Sequence, residues 1–177
     1  VFYKNVYCPD YGIPQKRRRL VLLASLYGEI SLLPATHNKE TYKTVKEAIG
    51  DLPAIADGEK DEKDYLHFTS KLSAINLKRI KSSVPNGNWE DWSEDLKLEC
   101  HKKNTGKTYK SVYGRMSWDE PSPTITTQFY NYGTGRFGHP EQNRALTVRE
   151  ASILQTFPID YKFIENENEI YMTKLGT

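Results

Sequence analysis

Apolar and polar positions divide the chain into short elements. Residues 1–7 are rich in aromatic and β-branched side chains and residues 20–24 are continuously apolar, which predicts two strands joined by a turn over residues 8–14. Gly12 opens backbone conformations closed to other residues, while Pro14 fixes its own φ and pushes Ile13 toward extended geometry. Two strands do not make a domain, so this portion reads as the edge of a larger sheet. Thr44-Val45-Lys46-Glu47 carries the Ser/Thr-x-x-Glu capping signature ahead of Ala48 and Ile49, and Gly50 with Pro53 closes a short helix. Leu72, Ile75, Leu77 and Ile80 fall near helical spacing behind a Ser73 cap, and Pro85-Asn86-Gly87-Asn88 supplies a turn. Trp89 and Trp92 follow as anchors of a small core rather than a stacking platform for bases. The pattern then predicts strands over residues 112–116 and 124–130, the second introduced by Pro121 and Pro123. Residues 131–138 form a glycine-rich loop in which the backbone can approach a ligand while Arg136 projects; the plainer reading is a turn with a stray arginine. Thr147 and Glu150 repeat the capping logic before Ala151, Ile153 and Leu154, in a helix ending near Phe157-Pro158.

A length of 177 residues suits one domain with a real core, or a small domain plus part of another. With 37% hydrophobic, 12% aromatic and 27% charged residues, the chain is neither membrane-spanning nor compositionally disordered. No apolar run approaches a bilayer span and no signal peptide opens the sequence, so a cytoplasmic protein is expected; Val1 is not an initiator, so upstream residues are expected too. Cys8 and Cys100 are too few for a disulfide framework or a four-thiolate zinc site, and the four histidines lack ligand spacing, so no metal is expected. Cys100-His101 reads as an ordinary pair of neighbours, not as nucleophile and base.

The net charge of +2 is unevenly spread: residues 101–115 hold Lys102, Lys103, Lys107, Lys110 and Arg115 without one acid, whereas acids gather at residues 57–64 and 165–169. A protein with one polyanion-facing side shows such segregation, and solvated loops produce it as well. In Tyr11-Gly12-Ile13-Pro14-Gln15-Lys16-Arg17-Arg18-Arg19 a rigid turn delivers clustered arginines into the apolar run. Guanidinium forks suit phosphates, carboxylates and base carbonyls, and Arg17 and Arg19, two apart on extended chain, would serve one shared ligand. The alternative is a solvated basic run at a strand start.

Three segments together resemble a DNA cytosine-5 methyltransferase of the bacterial restriction-modification type. Gln15-Lys16-Arg17-Arg18-Arg19 is similar to that family's Gln-x-Arg-x-Arg motif, and residues 144–158 to its Arg-x-Leu-Thr-x-Arg-Glu-x-x-x-Leu-Gln-x-Phe-Pro motif. Ser111-Val112-Tyr113-Gly114-Arg115-Met116-Ser117-Trp118-Asp119 through Pro123-Thr124-Ile125-Thr126-Thr127 is similar to the target-recognition region of one branch. The resemblance implies an α+β chain: a small, loop-rich mixed target-recognition domain at residues 27–143, flanked by remnants of a doubly wound α/β methyltransferase domain at residues 1–26 and 144–177. The family's cofactor-binding glycine motif, Pro-Cys nucleophile loop and Glu-Asn-Val acid do not occur here, and its closing Gly-Asn-Ala-Val motif would begin beyond Thr177. S-adenosylmethionine is thus the implied cofactor of a full-length enzyme, its site largely outside this chain.

The implied partners are double-stranded DNA and an N-terminal catalytic portion, in the same chain or in a partner subunit. Extruding a base costs a few kcal/mol, so the nucleotide must be held firmly. By the resemblance, Arg19 would donate to the cytosine O2, with Arg17 and Gln15 supporting the pocket and Arg18 holding a weaker claim. Thr124, Thr126, Thr127, Gln128, Asn131 and Arg136, around Gly133 and Gly135, become candidates for base edges, and Lys102, Lys103, Lys107 and Arg115 for phosphates. Arg144, Arg149 and Glu150 would organise the domain interface. A non-catalytic DNA-binding module, or a subunit of a split methyltransferase, is the alternative. A protein-interaction domain, the third possibility, would show no salt-sensitive DNA affinity.

Overall fold

The structure is a computed structural model describing residues 1–163 apart from Asn104, and only the backbone of Lys107. The acidic stretch at 165–169 and the expected return of residues 164–177 to a catalytic domain lie outside the described residues.

Strand β1 (Phe2–Tyr7) pairs antiparallel with β2 (Arg18–Leu23), in a register running from Phe2 opposite Leu23 to Tyr7 opposite Arg18. A 3₁₀ turn at Cys8–Tyr11 ends on Gly12, whose φ of 77° lies in the left-handed region. Glycine is needed there twice over, because an added Cβ would stand 2.8 Å from the His37 ring. Residues 24–44 form no helix or strand; they return across the turn, where the Thr36 and His37 amides donate to the Asp10 carbonyl and the Tyr42 hydroxyl to its carboxylate.

Helix α1 (Val45–Ile49) begins on the full Thr44/Glu47 capping box, and α4 (Val148–Leu154) on the Thr147/Glu150 box. These short helices pack together, and Val45, Ile49, Val148, Ala151 and Leu154 join Leu66, Met116, Ile125, Phe129, Phe137 and Leu146 in the main core. Fully burying a side chain of this kind contributes about 1.5–3 kcal/mol. A second cluster gathers Ile80 of α2 (Ala74–Ser82) with Trp89, Trp92, Leu96, Tyr132 and Ala145. Ser83 hydroxyl lies at its centre, accepting from Trp92 Nε1 at 2.8 Å and bonded to the Tyr132 hydroxyl at 2.8 Å. Burial pushes the Tyr132 phenol up to about 12.

Helix α3 (Glu99–Lys102) was not predicted; it covers part of the basic stretch. The two later strands predicted from the sequence do not form. Residues 112–116 make one isolated pairing, Arg115 with Gly138, which in turn pairs with Ala145. Residues 124–130 enter a turn whose Ile125 and Phe129 are buried, a spacing of four that β-branched composition alone does not reveal. The result is a mixed α and β chain with a two-stranded sheet, and among the described residues no helix is long and apolar enough to cross a membrane.

Candidate nucleic-acid interface

The arginine turn is clamped to a segment more than a hundred residues away. Lys16 amide donates to the Ser122 carbonyl at 2.7 Å, while the Ser122 amide and hydroxyl both donate to the Pro14 carbonyl at 2.9 Å. Thr124 hydroxyl donates to the Lys16 carbonyl at 2.9 Å, and the Lys16 ammonium pairs with Glu120. Thr124, expected at a base edge, therefore has its hydroxyl proton committed to the backbone. Ser122 carries no sequence signal of its own, yet it is wholly buried in this clamp. Gln15, opposite Ser122, is buried, and its Oε1 has no partner among the described residues.

Strand alternation sends Arg18 and Arg19 to opposite faces of the hairpin. Arg18 stacks 4.5 Å over the Tyr7 ring, which meets Tyr42 edge-on at 5.7 Å, so its plane is fixed by aromatic packing. Arg19 is exposed and donates only to the Arg18 carbonyl, and Arg17 is half-buried. None of the three has a carboxylate partner among the described residues.

Between the anchors Ile125 and Phe129, the side chains of Thr126, Thr127 and Gln128 are exposed. Asn131 accepts the Gly133 amide at 3.0 Å and Thr134 hydroxyl donates to the Gln128 carbonyl at 2.8 Å, which stiffens the loop they occupy. The glycines of this loop are required by packing. A Cβ on Gly133 would stand 3.1 Å from the Tyr113 ring, and one on Gly135 would stand 2.4 Å from Phe137.

Arg115 also departs from expectation. It is 4% exposed, and its guanidinium donates to the carbonyls of Ser83, His139, Gln142 and Ile80 and to Asn143 Oδ1. Four fixed carbonyl dipoles and an amide oxygen replace water around it, so it pins three segments together and is no phosphate contact. Arg136 is half-buried, donating through Nη1 to the Asn86 and Gly87 carbonyls. The sequence marks Asn86 only as part of a turn. Lys102 pairs with Glu99 at 2.7 Å on an exposed face and Lys103 is exposed, while the Lys107 side chain lies outside the described residues.

Behind the loop is a buried polar network. Arg144 donates to both carboxylate oxygens of Glu150, at 2.8 and 2.7 Å, and Glu150 also accepts the Thr147 amide at 2.8 Å. Burial works to raise the Glu150 carboxyl, but Arg144 outweighs it and holds the group below the usual carboxylate range. His139 accepts the Glu141 and Gln142 amides through Nδ1, and burial pushes it down to about 4. Arg149 grips the Asp64 carboxylate, and Arg144 Nε donates to the Ile55 carbonyl at 3.1 Å, so both arginines tie the α4 region to residues 55–64. Cys100 is exposed while the His101 ring stacks on Trp89 at 4.3 Å. Among the described residues no group of three metal-ligating side chains converges.

The profile of one family, described as C-5 cytosine-specific DNA methylase, matches residues 1–174. The chain is 56% identical over 163 residues to Type II methylase M.HgiDII of Herpetosiphon aurantiacus, covering 92% of this chain and 46% of that protein. It is 31% identical over 170 residues to Type II methyltransferase M.BbvI of Brevibacillus brevis, covering 94% of this chain and 42% of the relative. With DNA (cytosine-5)-methyltransferase 3 of Arabidopsis thaliana it shares 34% identity over 148 residues, 70% of this chain and 10% of that protein. The chain spans less than half the length of these relatives. A profile match over nearly all its residues, with an exposed arginine turn clamped against a polar loop, places it: the chain belongs to the C-5 cytosine-specific DNA methylase family.

Proposed function

We propose that this chain is the DNA-gripping part of a cytosine-5 methyltransferase, with residues 27–143 as the target-recognition region and residues 1–26 and 144–177 as parts of the catalytic domain. The observation that carries the reading is the clamp between Pro14–Lys16 and Glu120–Thr124, because it sets the arginine turn beside the exposed Thr126, Thr127 and Gln128. The hairpin supports it further. Tyr3, Leu20 and Leu22 share one face and are 61–72% exposed, an apolar sheet face that a larger sheet or its helices would cover.

In this reading Arg19 donates to O2 of the extruded cytosine and stabilises the charge that develops when a thiolate adds to the ring, while Arg17 and Gln15 hold the pocket and backbone around it. A charged donor placed in advance costs no reorganisation during reaction. Thr126, Thr127, Gln128 and Asn131 face base edges, and Lys102 and Lys103 lie along phosphates. S-adenosylmethionine would supply the methyl group. The cavity of about 460 Å³ lined by Trp89, Glu90, Glu94, Lys97, His101 and Lys102 does not suit it, because Glu90 is paired with Lys110 and Glu94 with Lys97.

Arg19→Ala in the complete enzyme tests the assignment. A charged hydrogen bond of about 1.5–3 kcal/mol corresponds to a roughly 10- to 150-fold loss of methyl transfer, with duplex affinity nearly unchanged. Equal losses in both would remove Arg19 from the base pocket.

A further inference from the structure

We propose that Arg136 reads the O6/N7 edge of a guanine in the recognised duplex, its guanidinium fixed in advance by the Asn86–Gly87 turn and by the bare Cα of Gly114. The proposal rests on the reading of residues 27–143 as the recognition region and adds the base that one residue of it selects.

Arg136 lies in a bend tied to residue 114 on both sides, where Gly114 amide donates to the Gly135 carbonyl at 3.2 Å and Gly138 amide to the Gly114 carbonyl at 2.9 Å. Its stem crosses Gly114 so closely that an added Cβ would stand 2.8 Å from Arg136 Cγ and 3.0 Å from its Cβ. At the far end, Nη1 donates to the Asn86 carbonyl and, at 2.7 Å, to that of Gly87. The turn presenting these carbonyls is itself tightly specified. Asn86 sits at φ 61°, in the left-handed region where asparagine is enriched, and a Cβ on Gly87 would stand 2.5 Å from Asp91 Oδ2.

One side of the planar fork is thus spent, while Nε and Nη2 have no acceptor among the described residues. Two parallel N–H groups on a fixed plane match the two acceptors guanine presents in the major groove. Because the side chain is already immobilised, most of the rotamer entropy that a free arginine would lose on contact has been lost on folding. A phosphate is the other anionic or acceptor group DNA could offer here. Burial holds the Arg136 guanidinium below its ordinary range while Asp91 and the Lys16-paired Glu120 pull the other way, and the negative field of Asp91 opposes a phosphate while leaving a neutral base edge acceptable.

The test uses the complete enzyme after its methylated site has been mapped, with each guanine of the duplex replaced in turn by 7-deazaguanine, which deletes N7 and keeps base pairing. For the wild type, kcat/KM falls about 5- to 150-fold at one guanine, the discrimination expected of a bidentate pair. R136K keeps the charge and the reach to Asn86 and Gly87 but loses the fork, so it becomes indifferent to that replacement. G114A displaces the fork without deleting it and blunts the same position, which keeps a readout if R136K fails to fold by circular dichroism. A wild type indifferent to 7-deazaguanine everywhere overturns the proposal. So does an R136K whose guanine sensitivities match the wild type, or whose only change is a uniform loss with a flatter salt dependence, the mark of a phosphate contact. A complete enzyme that methylates no cytosine instead sinks the underlying functional reading.

Discussion

Removing Arg144 should destabilise the protein by about 3–5 kcal/mol, the cost of leaving a buried carboxylate without its counter-ion. The side chains of Arg144 and Glu150 are 0% and 1% exposed, so no water can take over when one is deleted. Arg144→Met fills the same space but strips Glu150 of two charged hydrogen bonds and leaves the Ile55 and Ala145 carbonyls short of a donor. Thr147 still donates to Glu150, which recovers only part of the loss. In urea, with a slope of about 1–3 kcal/mol per molar, the unfolding midpoint should drop by on the order of 2 M. Adding Glu150→Leu removes the stranded charge at the cost of about 1 kcal/mol of helix capping, so the double variant should be more stable than the sum of the two single losses requires. Circular dichroism melts and urea titrations of wild type, both singles and the double complete the cycle. An Arg144→Met cost below about 1 kcal/mol, or single losses that simply add, would refute the claim that this pair holds α4 against residues 55–64.

Three further outcomes follow from the same geometry. His139 ordinarily titrates at 6.5 and is held at about 4 in the fold, so it contributes stability above pH 6.5 that is lost as pH falls toward 4. At about 1.4 kcal/mol per pH unit this amounts to about 3 kcal/mol, and His139→Asn, whose Oδ1 can replace the Nδ1 acceptor, should flatten the stability profile between those limits; an unchanged slope would remove His139 as its source. Lys102→Ala with Lys103→Ala should lower affinity for all duplexes alike and reduce the salt slope, measured by fluorescence anisotropy over a salt series; a changed sequence preference would move them to base readout. Gly12→Ala should cost at least 1–2 kcal/mol, since it adds left-handed strain to a 2.8 Å clash with His37, and a neutral effect in thermal melts would show the turn to be soft.

What could be read from the sequence was what local chemistry decides. Both capping boxes, Thr44 with Glu47 and Thr147 with Glu150, formed where their four-residue signatures lay, because their donors and acceptors are neighbours in the chain. Ser73 capped α2 and the hairpin closed for the same reason. The fate of Arg115 was not legible, because its acceptors come from Ile80, Ser83, His139, Gln142 and Asn143, and nothing near it announces that five oxygens will converge. The failed strand at 124–130 has a similar cause. Thr124 is drawn to the Lys16 carbonyl, and Ile125 and Phe129 are drawn into the main core, so tertiary contacts override β-branched propensity. At the candidate interface the arginine run and the polar loop were visible as separate pieces. Their juxtaposition through Ser122 was not.

Under the proposed function this chain grips a duplex so that one cytosine at a defined site can be methylated at C5. Bisulfite sequencing of DNA from cells expressing the intact gene, against cells carrying an empty vector, measures it most directly. A single sequence context in which cytosines become protected, and in which Arg19→Ala lowers that protection, is the predicted result. Cytosines converted equally in both samples would contradict it.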